Sequence, residues 1–366
     1  MKILYITTIG VTLNFFKSFI QDLKNTGNEI HVACNDSLSQ VPNFYNELGC
    51  KKYSISCTRS PFNFIGIFKA IREIKSLVEE QRYDIVHCHT PIAALCTRLA
   101  CIKARKKGTK VFYTAHGFHF YNGAPLKNWL IYYPVEKFCS YFTDVLITIN
   151  QEDYALAKKR MKAKRVEYVP GVGIDLAKFA RSTVDKTAMR KQLGVPSGKT
   201  LLLSVGELNK NKNHETVIRA IKDLDVYYVI VGEGDLKKYL QSIIDELGMS
   251  DRVKLLGFRN DVGDLYEAAD IYIMPSYREG LSVALMEAMA SGLPILCSRI
   301  RGNTDLIDEK GGRLFNPYSI DECIAALHNL QKEELNVLGK ENSNKIKQFS
   351  ATSVIKCMKK LYGLSN

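Results

Sequence analysis

Residues 277–295 read YREGLSVALMEAMASGLPI and set two glutamates, Glu279 and Glu287, eight positions apart around the start of an apolar helix. Eight helical residues rise about 12 Å and turn roughly two and a fifth times, so the two carboxylates share a side without meeting. They suit an extended ligand, not one small atom. Backbone N–H groups at a helix start, with the positive end of the helix dipole, favour an anion, whereas carboxylates accept from hydroxyls. The order that follows is a sugar at Glu279, a diphosphate over the amides of Gly280, Leu281 and Ser282, and ribose hydroxyls at Glu287. The same residues also read as an ordinary helix start, with Ser282 as N-cap and acidic side chains near a positive dipole end.

Working outward, the chain alternates short β-branched runs with amphipathic stretches. The first half predicts strands at 2–7, 29–33, 84–88, 110–115 and 145–149, with helices at 13–24 and 92–107. The second half repeats the rhythm, with strands at 200–205, 227–231, 254–256, 271–274 and 295–297 and helices at 214–222 and 236–247. This is an α/β pattern of two parallel-sheet, Rossmann-like domains. The polar stretch 180–199, with Gly194, Pro196 and Gly198, suits a connection. The expected division is therefore 1–180 for the first domain and 181–350 for the second, with 351–366 left over as a last helix. Ligands of open α/β sheets sit beyond the carboxyl ends of the strands, so two such domains facing each other make a cleft.

At 366 residues, 46% hydrophobic and 24% charged, the chain can fill two ordinary cores. The opening MKILYITTIG carries threonines and no small-residue cleavage pattern, so it reads as a strand and not a signal peptide. No apolar run approaches the roughly 20 residues that cross a bilayer. Ten scattered cysteines without a Cys-x-x-Cys pair suit reduced core positions and a cytoplasmic setting. The net charge is uneven: residues 1–175 hold 24 Lys and Arg against 14 Asp and Glu, and residues 176–366 hold 27 against 24. The first half thus carries most of the +13, concentrated at 103–110 and 158–165. Such runs are ordinarily solvated faces; the functional alternative is an anionic membrane surface. Nucleic acid is set aside because no nucleic-acid-binding signature accompanies the charge.

With DIVHCHTP at 84–91, TAHG at 114–117, PGVGIDLAKF at 170–179, VGEGD at 231–235 and LLGFRNDVGDLYEAADIYIMPS at 255–276, the chain resembles glycosyltransferase family 4 over nearly its whole length. That family's Glu-x7-Glu motif is matched by Glu279 and Glu287. The resemblance implies the two-domain GT-B fold, in which the last helix, within 351–366, crosses back to the first domain, together with a nucleotide-sugar donor, retention of anomeric configuration and no catalytic metal or other cofactor. It further implies that His116 contacts the donor sugar and that the loop at Phe258 and Arg259 meets the base. Leu265, expected to begin a helix, would approach ribose or phosphate, and Gly10 would leave room for diphosphate and an acceptor hydroxyl. Members commonly have a glycine pair where this chain has Ile9-Gly10. After the second domain's first strand the family has an arginine and then, five residues on, a lysine. Lys212 fills the second place, but Glu207 stands in the first, so either Lys210 or Lys212 carries more of the phosphate load or Glu207 contacts a neighbouring cation instead.

His87 and His89 alternate on one strand and, with His116 and His119, invite a metal reading; no carboxylate pattern supports it. Asp223-x-Asp225 falls before a strand, on the edge away from any ligand. Residues 118–142 hold nine aromatics, among them Trp129, Tyr132 and Tyr133, beside Lys127 and Lys137. Such a helix is more often core, yet Trp and Tyr beside lysines also suit a membrane interface. The combined expectation is a metal-independent transferase with His116, Glu279 and Lys212 at the chemistry. Its donor would be UDP-linked and its acceptor a lipid-linked saccharide of cell-surface polysaccharide synthesis, met on the inner face of the plasma membrane. The alternatives are an epimerase of the same fold and a noncatalytic sugar-nucleotide or membrane-binding protein, which Glu207 favours. A nicotinamide dehydrogenase is disfavoured because Gly171 and Gly173 lack the third glycine of the dinucleotide fingerprint.

Overall fold

The computed structural model describes residues 1–179 and 185–364. The chain forms two compact units, Met1–Val172 with Val354–Asn366, and Gly173–Ser353. The division therefore falls at Val172, and the expected boundary at 180 lies outside the described residues.

The first unit is built on β1 (Lys2–Ile9), β2 (Glu29–Asn35), β3 (Lys51–Ser54), β4 (Ile85–His89), β5 (Lys110–Ala115), β6 (Val145–Thr148) and β7 (Arg165–Tyr168). They pair in parallel in the order β3-β2-β1-β4-β5-β6-β7. The second unit has β8 (Thr200–Val205), β9 (Val226–Val231), β10 (Val253–Leu255), β11 (Ile271–Met274), β12 (Ile295–Ser298) and β13 (Gly312–Phe315), parallel in the order β10-β9-β8-β11-β12-β13. Each is a doubly wound sheet, and the central strands are continuous apolar runs because helices cover both faces. In β1 every residue after Lys2 is buried. In each sheet the strand order reverses beside the first strand, between β1 and β4 and between β8 and β11. The crevice outside those carboxyl ends is where such a sheet receives a ligand.

Strands central to each sheet agree with the sequence pattern to within two residues. The structure differs elsewhere. The helix expected over 13–24 is a 3₁₀ segment, Gly10–Phe16, followed by the helix Lys17–Asn25. The one expected over 92–107 breaks at Cys101 into Pro91–Ala100 and Ile102–Lys106. The last helix, Ala351–Tyr362, places Val354, Met358 and Tyr362 at i, i+4 and i+8, and these bury into the first unit's core beside Tyr5, Phe19 and Phe112. Tyr362 is pinned there by its hydroxyl, 2.8 Å from Tyr5 Oη and 2.6 Å from His87 Nδ1.

Candidate active site

In the second unit, β8 ends at Val205 and releases a loop that runs to Asn213. Asn213 takes the left-handed conformation (φ 54°), one that Asn tolerates better than most residues. Its Nδ2 donates to Pro275 O at 3.0 Å and Pro317 O at 2.9 Å. Asn211 Nδ2 donates to Arg278 O at 3.0 Å, and the Tyr277 N–H donates to Asn211 O at 2.8 Å. The loops after β8 and β11 are thereby sewn together, which delivers Lys212 to Glu279: Nζ lies 2.9 Å from Oε1, with side chains 20% and 14% exposed. A lysine and a carboxylate so paired can hand their charges to a phosphate and a sugar hydroxyl respectively.

The helix after β11 is Val283–Ala290, so Glu279 precedes it in the loop and only Glu287 is helical. The eight-residue helical step therefore does not relate the two carboxylates; the Lys212 pairing positions the first. Ser282 is the N-cap, its Oγ accepting from the Leu285 N–H at 3.4 Å, so the ordinary helix-start role is real. It leaves the turn's donors open: among the described residues, the N–H groups of Gly280, Leu281 and Ser282 have no protein acceptor. The turn is backed by Gly302, which adopts φ +78° and where a Cβ would stand 2.3 Å from Gly280 O. Only glycine fits there.

Glu287 is half-buried, and its Oε2 accepts from the Tyr266 hydroxyl at 3.1 Å. Burial pushes its carboxyl above the usual range, opposed in part by that hydroxyl and by the charge of Lys178. Lys210 is exposed, and Phe258 is exposed on the loop after β10. Beside it, the Arg259 guanidinium is spent on Asp261, with Nε 2.7 Å from Oδ1. Leu265 does not begin a helix. It lies inside Val262–Ala268 with its side chain in the core and its N–H directed to Asp261 O. Glu207 is exposed, and its carboxylate accepts from Asn209 Nδ2 at 2.8 Å, a local turn contact.

In the first unit, His116 follows β5 at the carboxyl edge. Its Nε2 is 3.1 Å from His89 Nδ1 at the end of β4. Burial pushes His116 down to about 4 and His89 well below the usual histidine range, so both rings are neutral near pH 7. At Gly10 a Cβ would lie 2.2 Å from Gln40 O, and its N–H donates to Ser39 O at 3.1 Å. The missing side chain makes room for the protein's own backbone. His87 is committed on both nitrogens, Nδ1 to Tyr362 and Nε2 to Thr114 Oγ1 at 2.8 Å. His119 stacks on Tyr132, with ring centroids 4.6 Å apart. Among the described residues no three His, Cys, Asp or Glu side chains are grouped to hold a metal.

Residues missed from sequence are the ones that orient these groups: Asn211, Asn213, Tyr266, Gly302, and His89 as partner of His116. The turn-forming run NKNKN at 209–213 was the one local signal available.

Residues 2–150 match the family described as "Glycosyl transferase 4-like", and residues 185–351 match "Glycosyl transferases group 1". A Bacillus subtilis (strain 168) protein carrying the name glycosyltransferase EpsD is 36% identical over 375 aligned residues, covering 99% of this chain and 96% of the relative. The chain belongs to the family 4 glycosyltransferases. This glycosyltransferase is also 29% identical, over 93% of its length and 90% of the relative's, to an Escherichia coli protein named UDP-Gal:alpha-D-GlcNAc-diphosphoundecaprenol alpha-1,3-galactosyltransferase. Among solved structures, Anabaena HepE in complex with UDP and glucose superposes with a TM-score of 0.80 at 19% identity, covering 99% of both chains. That likeness establishes the GT-B fold.

Proposed function

We propose that this glycosyltransferase moves a sugar from a UDP-sugar to a hydroxyl of a polyprenyl-diphosphate-linked saccharide in cell-surface polysaccharide synthesis, with retention and without a metal. The observation that carries the reading is the Lys212–Glu279 pair set beside the three open amides of residues 280–282, with Glu287 a helical turn beyond. As the bond from the anomeric carbon to the diphosphate oxygen breaks, Lys212 and those amides take the growing negative charge. Glu279 holds sugar hydroxyls and Glu287 the ribose. The acceptor oxygen bonds to the face the diphosphate leaves, and its proton passes to the departing diphosphate, so no protein base is required. The E. coli relative's name, with its UDP-sugar and diphosphoundecaprenol-linked acceptor, supports the choice of substrates.

A thermal-shift panel of UDP, GDP, ADP and their sugars, with magnesium or chelator, on the native chain and Glu287→Ala tests the site by mass action. Stabilisation by uridine nucleotides that ignores magnesium and vanishes in the variant supports it. A shift with another base moves the donor class, and a flat response across the panel sinks the transferase reading. Sugar conversion without acceptor would identify an epimerase instead.

The acceptor's lipid sets the location. No helix among the described residues is long and apolar enough to cross a membrane. In the helix Leu126–Ser140, Trp129, Tyr132 and Tyr133 pack, partly buried, against the first unit's core, so the membrane contact is assigned to the opposite face. At 100° per residue, Leu126, Leu130, Ile131, Val135 and Phe138 instead fall within about 180° of arc, together with Lys127 and Lys137. Leu126 and Leu130 are 73% and 69% exposed. Exposed apolar side chains interleaved with lysine, on the half of the chain carrying most of the positive charge, match an anionic bilayer surface. Flotation with liposomes containing phosphatidylglycerol should be weakened by Leu130→Glu and by salt. Equal binding to neutral vesicles at all salt concentrations would count against the electrostatic part.

A further inference from the structure

We infer that His89 fixes His116 as the Nδ1–H tautomer, so that His116 meets its ligand as a hydrogen-bond donor and not as a proton acceptor. The pair is a closed arrangement on one side. His89 is 2% exposed, its ring lies 4.1 Å from Phe16 and 5.5 Å from Tyr5 by centroids, and its Nε2 has no partner among the described residues. Its Nδ1 faces His116 Nε2 at 3.1 Å, so a single proton lies between two neutral imidazoles.

Two placements of that proton exist. If His116 Nε2 donated it, His89 Nδ1 would be bare and the other His89 proton would sit on Nε2, a buried N–H with no acceptor. An unmet buried donor costs about 1–3 kcal/mol, and orphaned N–H groups are the rarest kind. If His89 Nδ1 donates, only a lone pair is left on the enclosed nitrogen. His116 must then carry its proton on Nδ1. That nitrogen has no protein partner among the described residues and belongs to a half-buried side chain, so water or a ligand oxygen can accept from it. In this arrangement His89 is a positioning residue: it touches no substrate and acts through the tautomer it imposes.

The ligand side of this inference rests on the transferase reading; the tautomer does not. Long-range ¹⁵N–¹H correlation on the full chain labelled with ¹⁵N-histidine, near pH 7.5, reads it directly, with His116 assigned by comparison with His116→Gln. The expected spectrum has His116 Nδ1 protonated and Nε2 bare. Protonated Nε2 overturns the inference. His89→Asn, which keeps a side-chain N–H near the Nδ1 position, should retain the tautomer. His89→Leu should release it into a mixture and lower kcat about 10- to 100-fold with little change in KM, the scale seen when an orienting partner is lost. A Leu variant with native tautomer and native kcat also refutes the role. If both variants fail to fold, the spectrum of the native chain still decides. The expected spectrum in a protein that turns over no nucleotide-sugar would leave the tautomer standing and remove the transferase reading.

Discussion

Replacing Lys212 with methionine separates what the lysine does for the fold from what it does for the ligand. Its Nζ makes one charge-assisted hydrogen bond, 2.9 Å to Glu279 Oε1, with both side chains at most one-fifth exposed. Hydrogen bonds to charged groups contribute about 1.5–3 kcal/mol, and stranding a partly buried carboxylate costs a similar amount. The Lys212→Met substitution strands Glu279, so the free protein should lose about 1–3 kcal/mol, read as about 2–4 °C per kcal/mol in melting temperature. Affinity for a nucleoside diphosphate should fall by about 1.5–3 kcal/mol, or roughly 10- to 150-fold in Kd by calorimetry, because the same ammonium is then missing from the phosphate. The double variant Lys212→Met/Glu279→Gln discriminates. It removes the stranded charge, so the melting temperature should recover, while the affinity should not. A double variant that regains both, or a single variant whose Kd stays within threefold of native, refutes the assignment of Lys212 to the phosphate.

Glu287→Gln should melt higher than the native chain at pH 7.5 yet bind no nucleotide, since burial raises the Glu287 pKa and the ionised form is the costly one. A raised folded pKa contributes stability at low pH that is lost as pH climbs through the carboxylate range, so the advantage of Gln should shrink on acidification; a constant difference would contradict it. Arg98 is 1% exposed with Nη1 2.8 Å from Glu136 Oε2, and its guanidinium lies 4.3 Å from the Tyr113 ring. Arg98→Met should therefore cost about 3–5 kcal/mol in denaturant unfolding, and Arg98→Met/Glu136→Leu far less. His87 and His89 are buried neutral and the half-buried His116 is neutral beside them, with His87 pushed down to about 3 and His116 to about 4. The unfolded chain takes up protons near 6.5 that the fold refuses, so the first unit should lose stability as pH falls from about 6.5 toward 4, and a flat melting profile over that window would contradict the burial.

The central strands of both sheets were legible because each is a short apolar run bounded by polar turns, the signature of a strand covered on both faces. The edge strands β3, β7 and β13 went unread. Each has four residues, and β3 and β7 have no fully buried position, so their sequences KKYS and RVEY carry no apolar signal. The helix Phe64–Gln81 was also missed, although Ile67, Ala70, Ile74, Leu77 and Val78 are its buried stripe. Its first turns add Phe64, Ile65 and Phe68 on the exposed side, which blurs the amphipathic contrast that makes a helix readable.

The site divides in the same way, by what a local pattern can encode. In a doubly wound sheet ligands are met at strand ends, so each group proposed for the ligand sits beside an apolar run that can be recognised: His116 after β5, Lys212 after β8, Glu279 after β11. The groups that hold them are set by strand order and not by neighbourhood in the chain. Lys212 reaches Glu279 across 67 residues, His116 reaches His89 across 27 and Tyr266 reaches Glu287 across 21. Each pairing joins segments that follow or flank different strands, and no single-segment motif records which segment will lie beside which. Gly10 shows the converse. A glycine at a strand end reads as room for a ligand, but the chain used that room for residues 39–40. The absence of a side chain marks a close approach without naming what approaches. Only the partner, found in the fold, separates a backbone crossing from a binding site.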